Sequence, residues 1–283
     1  MDKLVTCAWL AEEMAASDLR IVDASWHLPD TQRDARAEYL AAHIPGAVFM
    51  DLGDLVDSAA PVDNTLPLPE KFASRMQAMG LGDGSRIVLY DDSAVKSSAR
   101  AWFMLRMFGA QEVAVLDGGL AKWRAEGRAL EAGENQLRHR HFTVWQDRRN
   151  LRDKAQVLAN IASRDEQLLD ARGPARFAGD QPEPRPGIAP GHVPGSLNVP
   201  YTSMFNPDGT WKDKQALRAA FEAAGVDLSR PIIASCGSGI TACVLLFALD
   251  LLGVERSALY DGSWSEWGAD PALPKASGAV PAR

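Results

Sequence analysis

The chain has 283 residues, 46% hydrophobic and 24% charged, with a net charge of −7 from 30 Lys and Arg against 37 Asp and Glu. That length allows one large domain or two ordinary ones, and the composition is that of a globular protein. The acidic balance argues against nucleic acid as a partner, no run reaches the roughly 18 apolar residues of a membrane span, and the first residues lack a secretory pattern, so a cytoplasmic protein is expected.

The elements come in one order, twice. A short apolar strand ends in Asp-Ala in LRIVDASW, at Asp23. HIPGAVFMDL follows at His43, then a helix over EKFASRMQAMG, a buried strand in RIVLYDD and a helix over SSARAWFMLRMFG. The half closes with a short strand and an aromatic-rich turn, VAVLDGGLAKW. A polar stretch from about Gly127 to Gln156 breaks the pattern and reads as the connection. The order then repeats: EQLLDARG with Asp170, HVPGSLNVPY at His192, KQALRAAFEAAG, PIIASCG, ACVLLFALDLLG and SALYDGSWSEW.

Asp23 and Asp170 are 147 residues apart, His43 and His192 149, Asp117 and Asp261 144. A repeat of this length is a duplicated domain. Strands alternating with helical segments predict α/β units, each a mainly parallel sheet flanked by helices. The expected boundaries are 1–140 and 155–283, with 141–154 between. Gly109 and Gly253 follow their helices, where glycine can take a left-handed cap. In the second half, GDQPEPRPGIAPGHVPG is too proline-rich for a helix and reads as an irregular loop.

Duplication separates scaffold from site. The paired aspartates and histidines occur in both halves, which favours architectural roles. Aligned on the buried strands, however, Asp91 stands where Cys236 stands. The first loop, DDSAVKSS, is charged; the second, CGSGITA, is neutral and one residue shorter. Ligands of parallel α/β sheets sit beyond the carboxyl ends of strands, where Cys236 falls. Gly237 and Gly239 let the backbone curl round the sulfur, so that several N–H groups of the loop can converge with a helix start to hold an anion, with Gly237, Gly239, Ile240 and Thr241 the expected binding positions and Ser238 and Thr241 adding hydroxyl donors or caps. Such a cradle favours thiolate over thiol. Cys7 and Cys243 read as small buried hydrophobes, and no Cys or His spacing suggests zinc or a disulfide framework. A phosphate-transfer loop needs arginine six residues after its cysteine, where this chain has Ala242, so persulfide chemistry is the better fit.

YLAAHIPGAVF, YDGSWSEW and the single cysteine loop in the second half resemble the tandem rhodanese family over nearly the whole chain. The neutral CGSGIT and RFAGDQPEPRPGIAPGHVPG look like its 3-mercaptopyruvate sulfurtransferases; the thiosulfate enzymes carry basic residues after the cysteine. The resemblance implies two rhodanese-like domains with the site in the cleft between them. It implies that Arg176 and Arg185 hold the carboxylate and keto oxygens of mercaptopyruvate, with Arg172 a lesser candidate. It implies a Ser238–His43–Asp34 proton relay, no cofactor and no metal. The acceptor it implies is cyanide in assays, and a small thiol or thioredoxin otherwise. A thiosulfate sulfurtransferase and a non-enzymatic persulfide carrier are the alternatives.

Overall fold

The computed structural model describes residues 1–278, and the chain packs as two units. The first comprises Met1–Asp57, Leu66–Asp147 and Asn206–Trp211; the second comprises Ser58–Thr65, Arg148–Phe205 and residues 212–278.

The first unit holds β1 (Leu4–Val5), α1 (Cys7–Glu13), β2 (Leu19–Asp23), α2 (Ala35–Ala41), β3 (Val48–Phe49), α3 (Pro69–Ala78), β4 (Arg86–Tyr90), α4 (Ser98–Met107), β5 (Glu112–Leu116) and α5 (Gly119–Ala125). The second repeats it with β6 (Leu151–Arg152), α6 (Lys154–Ser163), β7 (Gln167–Asp170), α7 (Pro174–Ala178), β8 (Leu197–Asn198), α8 (Lys214–Ala223), β9 (Ile232–Ser235), α9 (Ala242–Leu251), β10 (Ser257–Tyr260) and α10 (Ser263–Trp267). The sheets run β1-β5-β4-β2-β3 and β6-β10-β9-β7-β8, and every pairing is parallel.

The central strands β4 and β9 are buried on both faces, which is why RIVLY and IIAS read as continuous apolar runs. The helices that follow them, α4 and α9, are buried almost all round, whereas α3 and α8 bury one stripe each, Phe72 with Met76 and Leu217 with Phe221. Gly109 and Gly253 end α4 and α9 at φ +106° and +77°, as their positions predict.

Three features depart from the sequence reading. Two-residue edge strands and capped helices, β1–α1 and β6–α6, precede each repeat; Asp153 and Gln156 form a capping box on α6. The aromatic-rich turns are short helices, α5 and α10, whose buried Trp123 and Trp267 each donate the indole N–H to a backbone carbonyl 2.8 Å away, of Ala129 and Pro274. The polar stretch after Gly127 packs along the first unit as far as Asp147. Phe142 is buried edge-on to Phe72, and Trp145 and Asp147 donate their N–H groups to Phe108 and Met107. Among the described residues no helix is long and apolar enough to cross a membrane.

Candidate active site

Strand register fixes which residues correspond. Asp23 lies opposite Tyr90 and Asp170 opposite Ser235, so the next residues, Asp91 and Cys236, occupy the same position in the two units. Further contacts agree: Leu120 donates its N–H to the Asp91 carbonyl, and Trp264 donates its own to the Cys236 carbonyl, 3.0 Å away.

The two loops differ in what their amides do. In the first unit the Asp91 carboxylate accepts from the Ser93 N–H (3.0 Å), the Ser93 hydroxyl (3.1 Å) and the N–H of Ser98, the first residue of α4 (2.8 Å). An anion-binding loop is thus filled by the protein's own carboxylate. In the second unit the corresponding side chain is a thiol. The N–H groups of Gly237, Ser238, Ile240, Thr241 and Ala242 donate to no acceptor among the described residues.

Cys236 is 1% exposed, Gly239 takes φ +78°, and the half-exposed Ser238 hydroxyl has no partner among the described residues. Thr241 stands at the N-cap of α9 without a side-chain capping bond, so its hydroxyl does not play the capping role its position suggests. Cys243 is buried within α9, its thiol 3.2 Å from the Gly239 carbonyl, and Cys7 is buried at the start of α1, where desolvation pushes its thiol up to about 11.

Cys236 is held from behind by α10. Its N–H donates to the Ser263 hydroxyl (3.1 Å), which donates to the Tyr260 carbonyl (2.8 Å). Ser263 is fully buried at φ +48°, a region L-residues seldom occupy; its counterpart in the first unit, Gly119, sits at φ +56°. The Gly237 carbonyl accepts from both the N–H (2.8 Å) and the hydroxyl (2.6 Å) of Ser265.

The two expected arginines converge on this loop. Arg185 donates to the Ser265 hydroxyl (2.5 Å), which puts it one hydrogen bond from the Gly237 carbonyl. A Cβ on Gly237 would lie 3.2 Å from Nη2 of Arg176, so Gly237 makes room for that guanidinium instead of supplying a positive φ. Arg176 is held from its other side by Glu183, which accepts from Nε and Nη2. Glu183 also accepts from Arg172 (2.7 Å), itself locked by Asp170, the Gly191 carbonyl and the face of Trp264, 4.6 Å away. Arg172 is 2% exposed with its donors spent on these partners, which makes it a strut. Glu183, Ser263 and Ser265 were missed by sequence reasoning. Glu183 lies between the two arginines in the proline-rich loop, where charge reads as solvated; the serines lie in SALYDGSWSEW, whose repetition in the first half pointed to scaffold.

His43 and His192 have parallel surroundings. His43 donates its Nδ1–H to the Tyr39 carbonyl (2.7 Å), contacts the Asn135 side-chain amide through Nε2 (3.1 Å), and stacks on Tyr39 at 4.1 Å. His192 engages the Phe177 carbonyl through Nδ1 (2.8 Å) and stacks on Phe177 at 3.8 Å; burial lowers its basicity. Each histidine also bridges to the segment that closes its unit, at Glu131 and Ala276. Asp34 caps α2, its carboxylate accepting the Ala37 N–H at 3.0 Å. Among the described residues no three His, Cys, Asp or Glu side chains gather as a metal site.

The rhodanese-like domain matches this chain twice, over residues 6–126 and 153–270. Human 3-mercaptopyruvate sulfurtransferase is 40% identical over 93% of this chain and 91% of its own length. Bovine thiosulfate sulfurtransferase is also 40% identical, over the same shares of each. The crystal structure of the 3-mercaptopyruvate sulfurtransferase SseA of Escherichia coli superimposes with a TM-score of 0.86 at 39% identity, covering 94% of this chain and 100% of that one.

Proposed function

The chain belongs to the rhodanese family, with two rhodanese-like domains in tandem, and we propose that it is a 3-mercaptopyruvate sulfurtransferase working through Cys236. The observation that carries this is the contrast between the loops. The amides that Asp91 occupies in the first unit have no acceptor among the described residues in the second, and there a cysteine replaces the carboxylate.

In this reading Arg176 and Arg185 take the carboxylate and keto oxygen of mercaptopyruvate. The Cys236 thiolate attacks the substrate sulfur, forming an S–S bond as the C–S bond breaks. The electron pair of that bond passes to the carbonyl-stabilised carbon, leaving the enolate of pyruvate. The proton of the substrate thiol is passed to that carbon, and pyruvate leaves with Cys236 as a persulfide. The loop amides of Gly237, Ser238, Ile240 and Thr241 then hold the terminal sulfur anion until a thiol acceptor removes it. Ser238 is the relay member suited to passing the proton, since its hydroxyl has no partner among the described residues. The hydrogen bonds of His43 and the capping bond of Asp34 favour positioning roles for those two. A small thiol or a thioredoxin-like dithiol is the proposed acceptor. Three free cysteines suit the proposed reducing, cytoplasmic setting.

Thiosulfate is the competing donor, since relatives of either name are equally similar. The residues after Cys236 carry no cation to match a compact dianion. Steady-state turnover of both donors with cyanide as acceptor decides: kcat/KM is expected to be higher for mercaptopyruvate, and a higher value for thiosulfate would overturn the assignment.

A further inference from the structure

We propose that Glu183 determines donor selectivity by setting the charge of the site to suit a monoanion. The inference rests on the reading of Cys236 and the two arginines as the donor site. Asp170, Arg172, Glu183 and Arg176 form one continuous run of ion pairs, with two carboxylates against two guanidinium groups. The run is neutral as a whole. The side chains of Asp170, Arg172 and Glu183 are at most 5% exposed, so solvent screens them little. Arg185 is a further cation beside the loop, through its bond to Ser265. Its nearest carboxylate, Asp63, is 3.5 Å from Nε but 77% exposed, and is therefore a weak counter-charge. The array offers an incoming donor a net charge of close to +1.

That charge fits the single carboxylate of mercaptopyruvate and under-matches the two charges of thiosulfate. Glu183 also spends two of the donors of Arg176, leaving Nη1 and the remaining N–H of Nη2 for the substrate. One residue thereby fixes both the direction in which Arg176 presents its fork and how much of its charge is felt. The local sequence is neutral after Cys236, and the arginine array behind it is neutralised as well, so the loop and its second layer discriminate in the same direction.

Glu183→Gln keeps the size of the side chain and one acceptor while adding one unit of net positive charge to the array. A dianion gains more from that charge than a monoanion does, in proportion to its own. The expected result is a rise on the order of tenfold in the ratio of kcat/KM for thiosulfate to that for mercaptopyruvate. Sulfate should also become a stronger competitive inhibitor relative to pyruvate. Glu183→Asp, which restores the charge, is expected to keep the wild-type ratio. If Glu183 is only a structural strut, both donors lose activity together and the ratio stays put, which would overturn the proposal. Asp63→Asn is the second arm, at an exposed site where folding is not at stake; its ratio should move the same way by a smaller factor, and an opposite shift counts against the proposal. The ratio is read against the wild-type value, whichever donor that enzyme prefers. A wild type favouring thiosulfate would therefore overturn the donor assignment while leaving the charge effect separately testable.

Discussion

At the scale of single residues, the pair that matters is Cys236 and Asp91. They occupy one position in two copies of a fold, and one is the proposed nucleophile while the other satisfies its own loop. Cys236→Ser is expected to abolish sulfur transfer, while Cys7→Ser and Cys243→Ser retain it, because those two thiols lie within helices α1 and α9; turnover of mercaptopyruvate with cyanide checks all three. A second residue-scale consequence concerns Asp23, which is 2% exposed and raised by burial to about 6, against the bonds from Ser25 that favour its charge. Its folded value lies above its unfolded one. The unfolded chain therefore releases this proton first as pH rises, and stability is lost between about pH 4 and pH 6, the loss being complete at neutrality. Asp23→Asn removes that titration. Urea unfolding should show the wild type losing about 2–3 kcal/mol relative to the variant between pH 4 and pH 7, and parallel pH profiles would contradict the burial account.

At the scale of elements, α10 acts as the brace of the cysteine loop. Ser263 holds a left-handed φ that glycine holds in the first unit, and in return its hydroxyl takes the Cys236 amide. Ser263→Ala keeps the unfavourable backbone and leaves that buried amide unpaired, so it should destabilise the protein by about 1–3 kcal/mol. Ser263→Gly loses the same bond but relaxes the backbone and should cost less than alanine, although it removes more of the side chain. Urea midpoints rank the three proteins, and a larger loss for glycine would argue against the strain. The central strands and the helices behind them were legible in the sequence because burial on all sides writes an unbroken apolar run. β1 and β6 were not, since two-residue strands carry no period. α5 and α10 were read as turns because glycines stand at their starts, Gly118 and Gly119 in one and Gly262 in the other, and the packing of Trp123 and Trp267 accompanies their helical form. Glu183 stayed hidden for a related reason. Its burial is produced by Arg172 and Arg176 closing over it, and a proline-rich stretch gives no sign of that tertiary event.

At the scale of the whole molecule, the fold is a duplication in which one copy fills its loop with Asp91 and the other leaves it as the proposed substrate cradle. The order of ten elements, the strand order and the histidine bridges are the same in both units. That is why motif spacing alone showed two α/β domains, and why comparing the copies located Cys236. What the spacing could not show was the amide bonding of the two loops, which depends on where each side chain points. The central claim is that Cys236 alone becomes the sulfur carrier. Its most direct test is peptide mass spectrometry of the intact enzyme after incubation with mercaptopyruvate in the absence of acceptor. The account predicts one added sulfur atom on Cys236, with Cys7 and Cys243 unmodified, and its removal when a thiol acceptor is supplied. Sulfur found on Cys7 or Cys243, or steady turnover with no persulfide at Cys236, would contradict it.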